Sequence, residues 1–89
     1  MSKRVSVGQL IKEARERRGM TQHELGAKLG MRTIESSQVQ ISRYENDVFR
    51  PPTATLVRIA RILKIPIGKV TATVLKDEAR RLKDATKGV

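Results

Sequence analysis

This chain should fold as a small all-α domain, a compact bundle of about five helices around a central helix-turn-helix. Capping signatures stand just ahead of apolar residues at helical spacing in "SVGQ", "TQHE" and "SQVQ". Gly19 and Gly30 stand where helices of ordinary length should stop. Strand signals are weak: the chain has one Tyr, one Phe and no alternating apolar run. At 89 residues the whole chain, 1–89, suits a single domain.

The first helix opens at Ser6, buries Leu10, Ile11 and Ala14, and stops at Gly19. Thr21 caps the second, with Glu24 reaching back to the Thr21 amide. Leu25 and Leu29 form its inward stripe, and Gly30 ends it. Ser37 is the expected cap of the third helix, over about 37–46, with Ile41 and Tyr44 facing inward. "NDVFRPP" reads as a loop. Thr53 should cap a fourth helix whose stripe is Leu56, Ile59, Ala60 and Leu63, and Pro66 either ends it or begins the next. A fifth helix is expected over about 67–86, with Val70, Val74, Leu75, Ala79 and Leu82 on its apolar side. The tail "TKGV" should fray.

Composition narrows the function classes. Nineteen Lys and Arg against nine Asp and Glu give a formal net charge of +10. A compact domain so charged repels itself, and a polyanion relieves that repulsion. Nucleic acid is the expected partner, ahead of an anionic membrane or an acidic protein. The absence of Cys excludes disulfides and thiolate metal sites, and a single His excludes a multi-histidine site. No catalytic residue is assigned, because nothing assembles a Ser/His/Asp or Cys/His set, and no Gly-rich phosphate loop is present. The chain is therefore read as no enzyme, without cofactor or metal. His23, in the first turn of a helix, reads as a solvated side chain. "MSKRVSVGQL" has no apolar leader region, and "LVRIARILKIPI" is interrupted by Arg58, Arg61 and Lys64, short of the roughly 20 apolar residues that span a bilayer.

The third helix has the exposed side that chemistry on DNA needs. At 3.6 residues per turn, Ile41 and Tyr44 share one side with Glu45, while Val39, Ser42, Arg43 and Asn46 point the other way and Gln38 and Gln40 flank the start. Gln pairs with adenine, Arg with guanine, and Val touches a thymine methyl. Gln38, Val39, Gln40, Ser42 and Arg43 are thus the candidate base contacts. The plain alternative is an ordinary polar helix surface.

"LIKEARERRGMTQHELGAKLG", then "QISRYEN", then "RPPTATLVRIARILKIPIGKV" resemble the lambda-repressor/Cro-like (XRE) helix-turn-helix domain over about residues 6–70. Thr21 and Gln22 match its Thr-Gln pair. Ile41, Ser42, Glu45 and Asn46 match its Ile-Ser-x-x-Glu-Asn, and Pro51 and Leu56 its Pro-x-x-x-x-Leu. The resemblance implies that Arg15 pairs with Glu45 and locks the recognition helix to its scaffold. It implies phosphate contacts at Gln22, Asn46 and Arg50, to which Ser37 at the expected helix start is added. Lys28 is a weaker candidate.

The match has departures. About five extra residues, within "RTIES", separate Gly30 from Ile41. They can form a protruding loop or add a turn to the third helix. Ile34, seven residues before Ile41, suits the helix, whereas Ser36 and Ser37 cap better than they fill an interior, which favours a loop. In a loop, Arg32 and Thr33 can touch DNA. Asp47 stands where the family prefers Gly for a left-handed exit, a conformation Asp tolerates. Phe49 either packs beneath its loop or makes a contact across a dimer.

These observations point to a sequence-specific transcriptional regulator on double-stranded DNA, a repressor acting as a homodimer on a palindromic operator. In that reading 71–89, the C-terminal helix, forms or braces the interface, or instead packs on its own domain. The implied location is the cytoplasm, on the nucleoid through DNA, with no membrane role. The alternative is a protein-binding module on the same fold, an antitoxin or a bridging coactivator, partnered by a toxin or a polymerase component. The short N-terminal arm and the C-terminal helix are then the segments available for that partner. RNA binding is disfavoured, since Tyr44 faces inward and only Phe49 is left for stacking on bases.

Overall fold

In the computed structural model, which describes residues 6–86, five helices follow one another: α1 (Val7–Arg17), α2 (Gln22–Lys28), α3 (Ile34–Glu45), α4 (Thr53–Leu63) and α5 (Ile67–Thr86). No strand occurs among the described residues. The expected fraying concerns the tail, of which the residues after Thr86 lie outside the described part, as does the N-terminal arm before Ser6.

Local chemistry sets the helix ends. Ser6 Oγ accepts from the Gln9 amide to open α1. At α2 the capping box is complete: Thr21 Oγ1 accepts from the Glu24 amide at 3.0 Å, and the Thr21 amide donates to Glu24 Oε1 at 3.1 Å. Four of the helices stop with the same left-handed device. Gly19 (φ 65°), Gly30 (φ 89°), Asp47 (φ 59°) and Lys64 (φ 55°) each turn the chain, and the next amide donates back to the Arg15, Gly26, Arg43 and Ala60 carbonyls respectively. Asp47 thus does the work of a glycine, as expected. Its carboxylate adds a tertiary bond, accepting from the Gly8 amide at 2.9 Å and the Ser6 hydroxyl at 2.6 Å. At α4, Thr53 is the first helical residue rather than the cap: Pro52 holds the cap position, without a side-chain bond, and its carbonyl accepts from Leu56. Pro66 begins α5 through its carbonyl, which accepts from Lys69 and Val70.

The start of α3 corrects the sequence reading. The extra residues form no protruding loop. They lengthen α3 by a turn, capped by Thr33, whose Oγ1 accepts from the Ser36 amide at 3.0 Å. Only Gly30, Met31 and Arg32 then lie between the end cap of α2 at Leu29 and Thr33, which restores a turn of ordinary length. Ser37 is no cap. It is fully buried, and its hydroxyl donates to the Thr33 carbonyl one turn back, at 2.9 Å. Burial follows from Gly26 of α2: a Cβ there would sit 2.4 Å from Ser37 Cβ. The two helices touch at a glycine and a serine because neither side chain is large enough to keep them apart.

The core is one cluster. Ile11, Leu25, Ile41 and Ile59 are at most 1% exposed, joined by Leu10, Ala14, Leu29, Tyr44, Leu56, Ala60, Leu63, Ile65 and Val70. α5 departs from its expected stripe. Val70 and Thr73 are buried and Val74 is half-buried, but Ala79 is exposed, as are Leu75 and Leu82 at 64% and 66%. The first turns of α5 pack on α1 and α4, and none of the described side chains of its second half is buried in the core.

Candidate nucleic-acid interface

Arg15 and Glu45 hold α3 in place. Arg15 Nε and Nη2 donate to Glu45 Oε2 and Oε1 at 2.6 and 3.1 Å, and Nη1 donates to the Met20 carbonyl at 2.7 Å. The side chains are 11% and 2% exposed. The Glu45 hydrogen bond is the main cause that holds the Arg15 guanidinium above its ordinary pKa, against the opposing effect of burial. The pairing implied by the resemblance is therefore present, in the bidentate geometry that favours Arg over Lys. Gln22 joins it, its amide donating to Glu45 Oε1 at 3.2 Å.

With Ser37, Ile41, Tyr44 and Glu45 turned inward, α3 presents a defined outer side. Gln38 and Arg43 are exposed, Val39 is 48% exposed, and Gln40 and Ser42 are half-buried. Gln38, Val39, Ser42 and Arg43 line one shallow depression together with Gln22 from α2. The fold thus places a residue of the second helix beside the candidate base-reading set. Gln40 donates to Tyr44 Oη at 3.0 Å, which orients its amide along the helix. The Asn46 amide folds back onto Ser42, donating to its carbonyl at 2.8 Å and its hydroxyl at 3.2 Å. Arg32 and Thr33 are exposed at the leading end of α3, where Thr33 serves as the cap. A second open depression beside them is lined by Met31, Ser36, Val39 and Gln40. Met31 and Ser36 were absent from the sequence-derived set. Their signal was the length of the turn, which identifies them only once α3 is known to begin at Ile34.

Two candidate phosphate contacts sit differently from expectation. Ser37 lies buried against Gly26 and cannot reach a phosphate. Arg50 turns toward α5, where its guanidinium pairs with Asp77 at 3.2 Å and with Glu78. Its charge is already answered within the domain. His23 is also not the solvated residue expected: it is half-buried, and its Nδ1 is buried without a hydrogen-bond partner among the described residues. Arg43 and Phe49 meet across the end of α3, the guanidinium 5.6 Å from the ring centroid, so Phe49 does not pack beneath its loop. Val48 and Phe49 remain 61% and 50% exposed.

Among the described residues, no group of three or more His, Cys, Asp or Glu could hold a metal, and no helix is long and apolar enough to cross a membrane. A groove of about 260 Å³ runs between α4 and α5, lined mainly by Pro51, Leu56, Val57, Ile67, Val74 and Leu75.

No curated protein and no solved structure matches the chain at a significant level. The Helix-turn-helix family matches residues 11–70, which contain α1 from Ile11, all of α2 to α4 and the start of α5. With an all-helical fold, the family match and the Thr-Gln and Ile-Ser-x-x-Glu-Asn residues in their expected places, the chain belongs to the lambda-repressor/Cro-like (XRE) helix-turn-helix family of DNA-binding regulators.

Proposed function

We propose that this protein is a sequence-specific regulator that binds double-stranded DNA as a homodimer on a palindromic operator and represses transcription by occluding the polymerase. The observation that carries this reading is the outer side of α3: Gln38, Val39, Ser42 and Arg43 share one surface, on a helix fixed from behind by Arg15 and Glu45. Base recognition needs donors and acceptors at set positions on a rigid support, and this helix supplies both. Gln22 is a phosphate contact in this reading, because it lines the same depression as Gln38, Val39, Ser42 and Arg43. Asn46, Arg32 and Thr33 are further contacts at the margins.

The homodimer rests on α5. Ile67 and Leu75 are exposed beside the α4–α5 groove, and Leu82 extends the exposed apolar side along the same helix. A second copy placing its own α5 there would bury these side chains, and a two-fold dimer reads a site with half-sites about 10 base pairs apart. The same groove is the observation that favours the second reading, a protein-binding module with a different partner.

Selection of bound sequences from random duplex DNA, repeated across salt concentrations and with the oligomeric state measured by light scattering, tests both readings. A two-fold symmetric site and a dimer mass are expected. Binding that enriches no sequence and is lost steeply with salt would refute sequence-specific regulation. A monomer that enriches a single half-site would refute the dimer alone.

A further inference from the structure

Phe49 lies outside the candidate DNA-contact residues, yet its ring stands under the one arginine on the outer side of α3. We infer that Phe49 is a specificity-determining residue that positions the Arg43 guanidinium for reading a base edge. The inference rests on the reading of α3 as the DNA-recognition helix.

The placement begins with the backbone. Asp47 takes the left-handed conformation, its amide donates to the Tyr44 carbonyl at 3.2 Å, and the Val48 amide donates to the Arg43 carbonyl at 2.9 Å. The Phe49 amide approaches the same carbonyl at 3.5 Å. The chain is thus folded back over the last turn of α3, and Phe49 arrives beside Arg43. Asp47 is anchored in turn by the Ser6 hydroxyl and the Gly8 amide, so the platform is tied to the start of α1. Phe49 is 50% exposed and is not part of the core cluster.

Contact with a ring face has a chemical consequence. Attraction to the ring face is a cation–π contact rather than a hydrogen bond, so it leaves the N–H donors of the guanidinium available. Arg15 and Arg50 spend those donors on carboxylates, whereas Arg43 has no carboxylate partner among the described residues. The ring restricts the rotation of a long side chain without consuming a donor. That arrangement suits bidentate donation to the O6 and N7 acceptors of a guanine.

The test compares wild type, F49A, F49Y, R43A and the R43A/F49A double variant. Each is titrated against the selected duplex and against duplexes changed one base pair at a time. F49A should lower discrimination about two- to five-fold at the base pair that R43A relaxes, and leave the other positions unchanged. F49Y, which keeps a ring, should restore it, and the double variant should discriminate no worse than R43A alone. An equal loss by F49A on every duplex, or a loss at a different base pair, would overturn the inference while leaving the regulator reading intact. Wild-type protein that discriminates at no position would overturn both. Thermal unfolding of each variant checks folding, and F49L replaces F49A if the latter does not fold.

Discussion

Removing the Glu45 carboxylate should be among the most damaging single changes in this domain. Glu45 accepts three hydrogen bonds, from Nε and Nη2 of Arg15 and from the Gln22 amide. Glu45→Ala withdraws all of them and leaves Arg15, whose side chain is 11% exposed in the intact pair, with only the Met20 carbonyl as a partner. Breaking a buried pair by deleting one partner costs about 3–5 kcal/mol, chiefly because the remaining charge is stranded. The retained Met20 bond and the residual exposure of Arg15 place this case near the lower end, at about 3 kcal/mol. In a domain of this size each kcal/mol shifts Tm by about 4–8 °C, so a fall of roughly 12–24 °C follows. Differential scanning calorimetry with urea midpoints provides the measurement. The same reasoning predicts that a double replacement of Arg15 and Glu45 by Met and Leu recovers most of the loss, because no charge is then left buried. A Glu45→Ala variant that melts within 2–3 °C of wild type, where about 12 °C is the least expected, would refute the account.

Two glycines should respond in opposite directions to the same change. Gly26→Ala places a Cβ 2.4 Å from Ser37 Cβ and 2.8 Å from its Cα, so overpacking of about 1–3 kcal/mol outweighs the roughly 1 kcal/mol that Ala gains in a helix. Gly68→Ala meets nothing within 4 Å and should stabilise by about 0.5–1 kcal/mol, both read from urea midpoints. Arg50→Ala should loosen α5 by removing its pairing with Asp77 and Glu78, raising amide hydrogen exchange in α5 while changing the salt slope of DNA binding little. Glu24 is held below the usual carboxylate range first by the Thr21 amide and then by the Thr21 hydroxyl. Its contribution is therefore complete above the ordinary Glu value of about 4.3 and is lost as pH falls through the lower folded value. Titration of the Glu24 carboxyl by NMR should show the depressed midpoint, and Thr21→Ala, which keeps the backbone amide but removes the hydroxyl, should return it part of the way to the ordinary value.

Most helix boundaries were legible because short-range chemistry writes them. Ser6, Thr21, Gly19 and Gly30 act on amides and carbonyls within one turn, so their effect needs no knowledge of the rest of the chain. Thr33, Ser36 and Ser37 show where such reasoning fails. All three are chemically able to cap, and the choice among them depends on Gly26, a residue on another helix with no side chain to hold Ser37 away. Arg50 was placed on DNA by its position just past α3, yet it points to carboxylates 27 and 28 residues further along. The stripe predicted for α5 likewise assumed that an apolar residue on a helix always finds a core.

The sequence by itself determined the all-helical class, the family and the outer residues of α3, because helical period, capping and a spaced motif are properties of neighbouring residues; the Arg15–Glu45 pair, 30 residues apart, was implied only by the family resemblance. Tertiary structure decided that the extra residues lengthen the recognition helix, that Ser37 is buried and Arg50 pairs with carboxylates of α5, that Phe49 stands under Arg43, and that Leu75 and Leu82 of α5 stay exposed. Each of those depends on the distance between residues far apart in the chain, and a helical pattern carries no information about that distance.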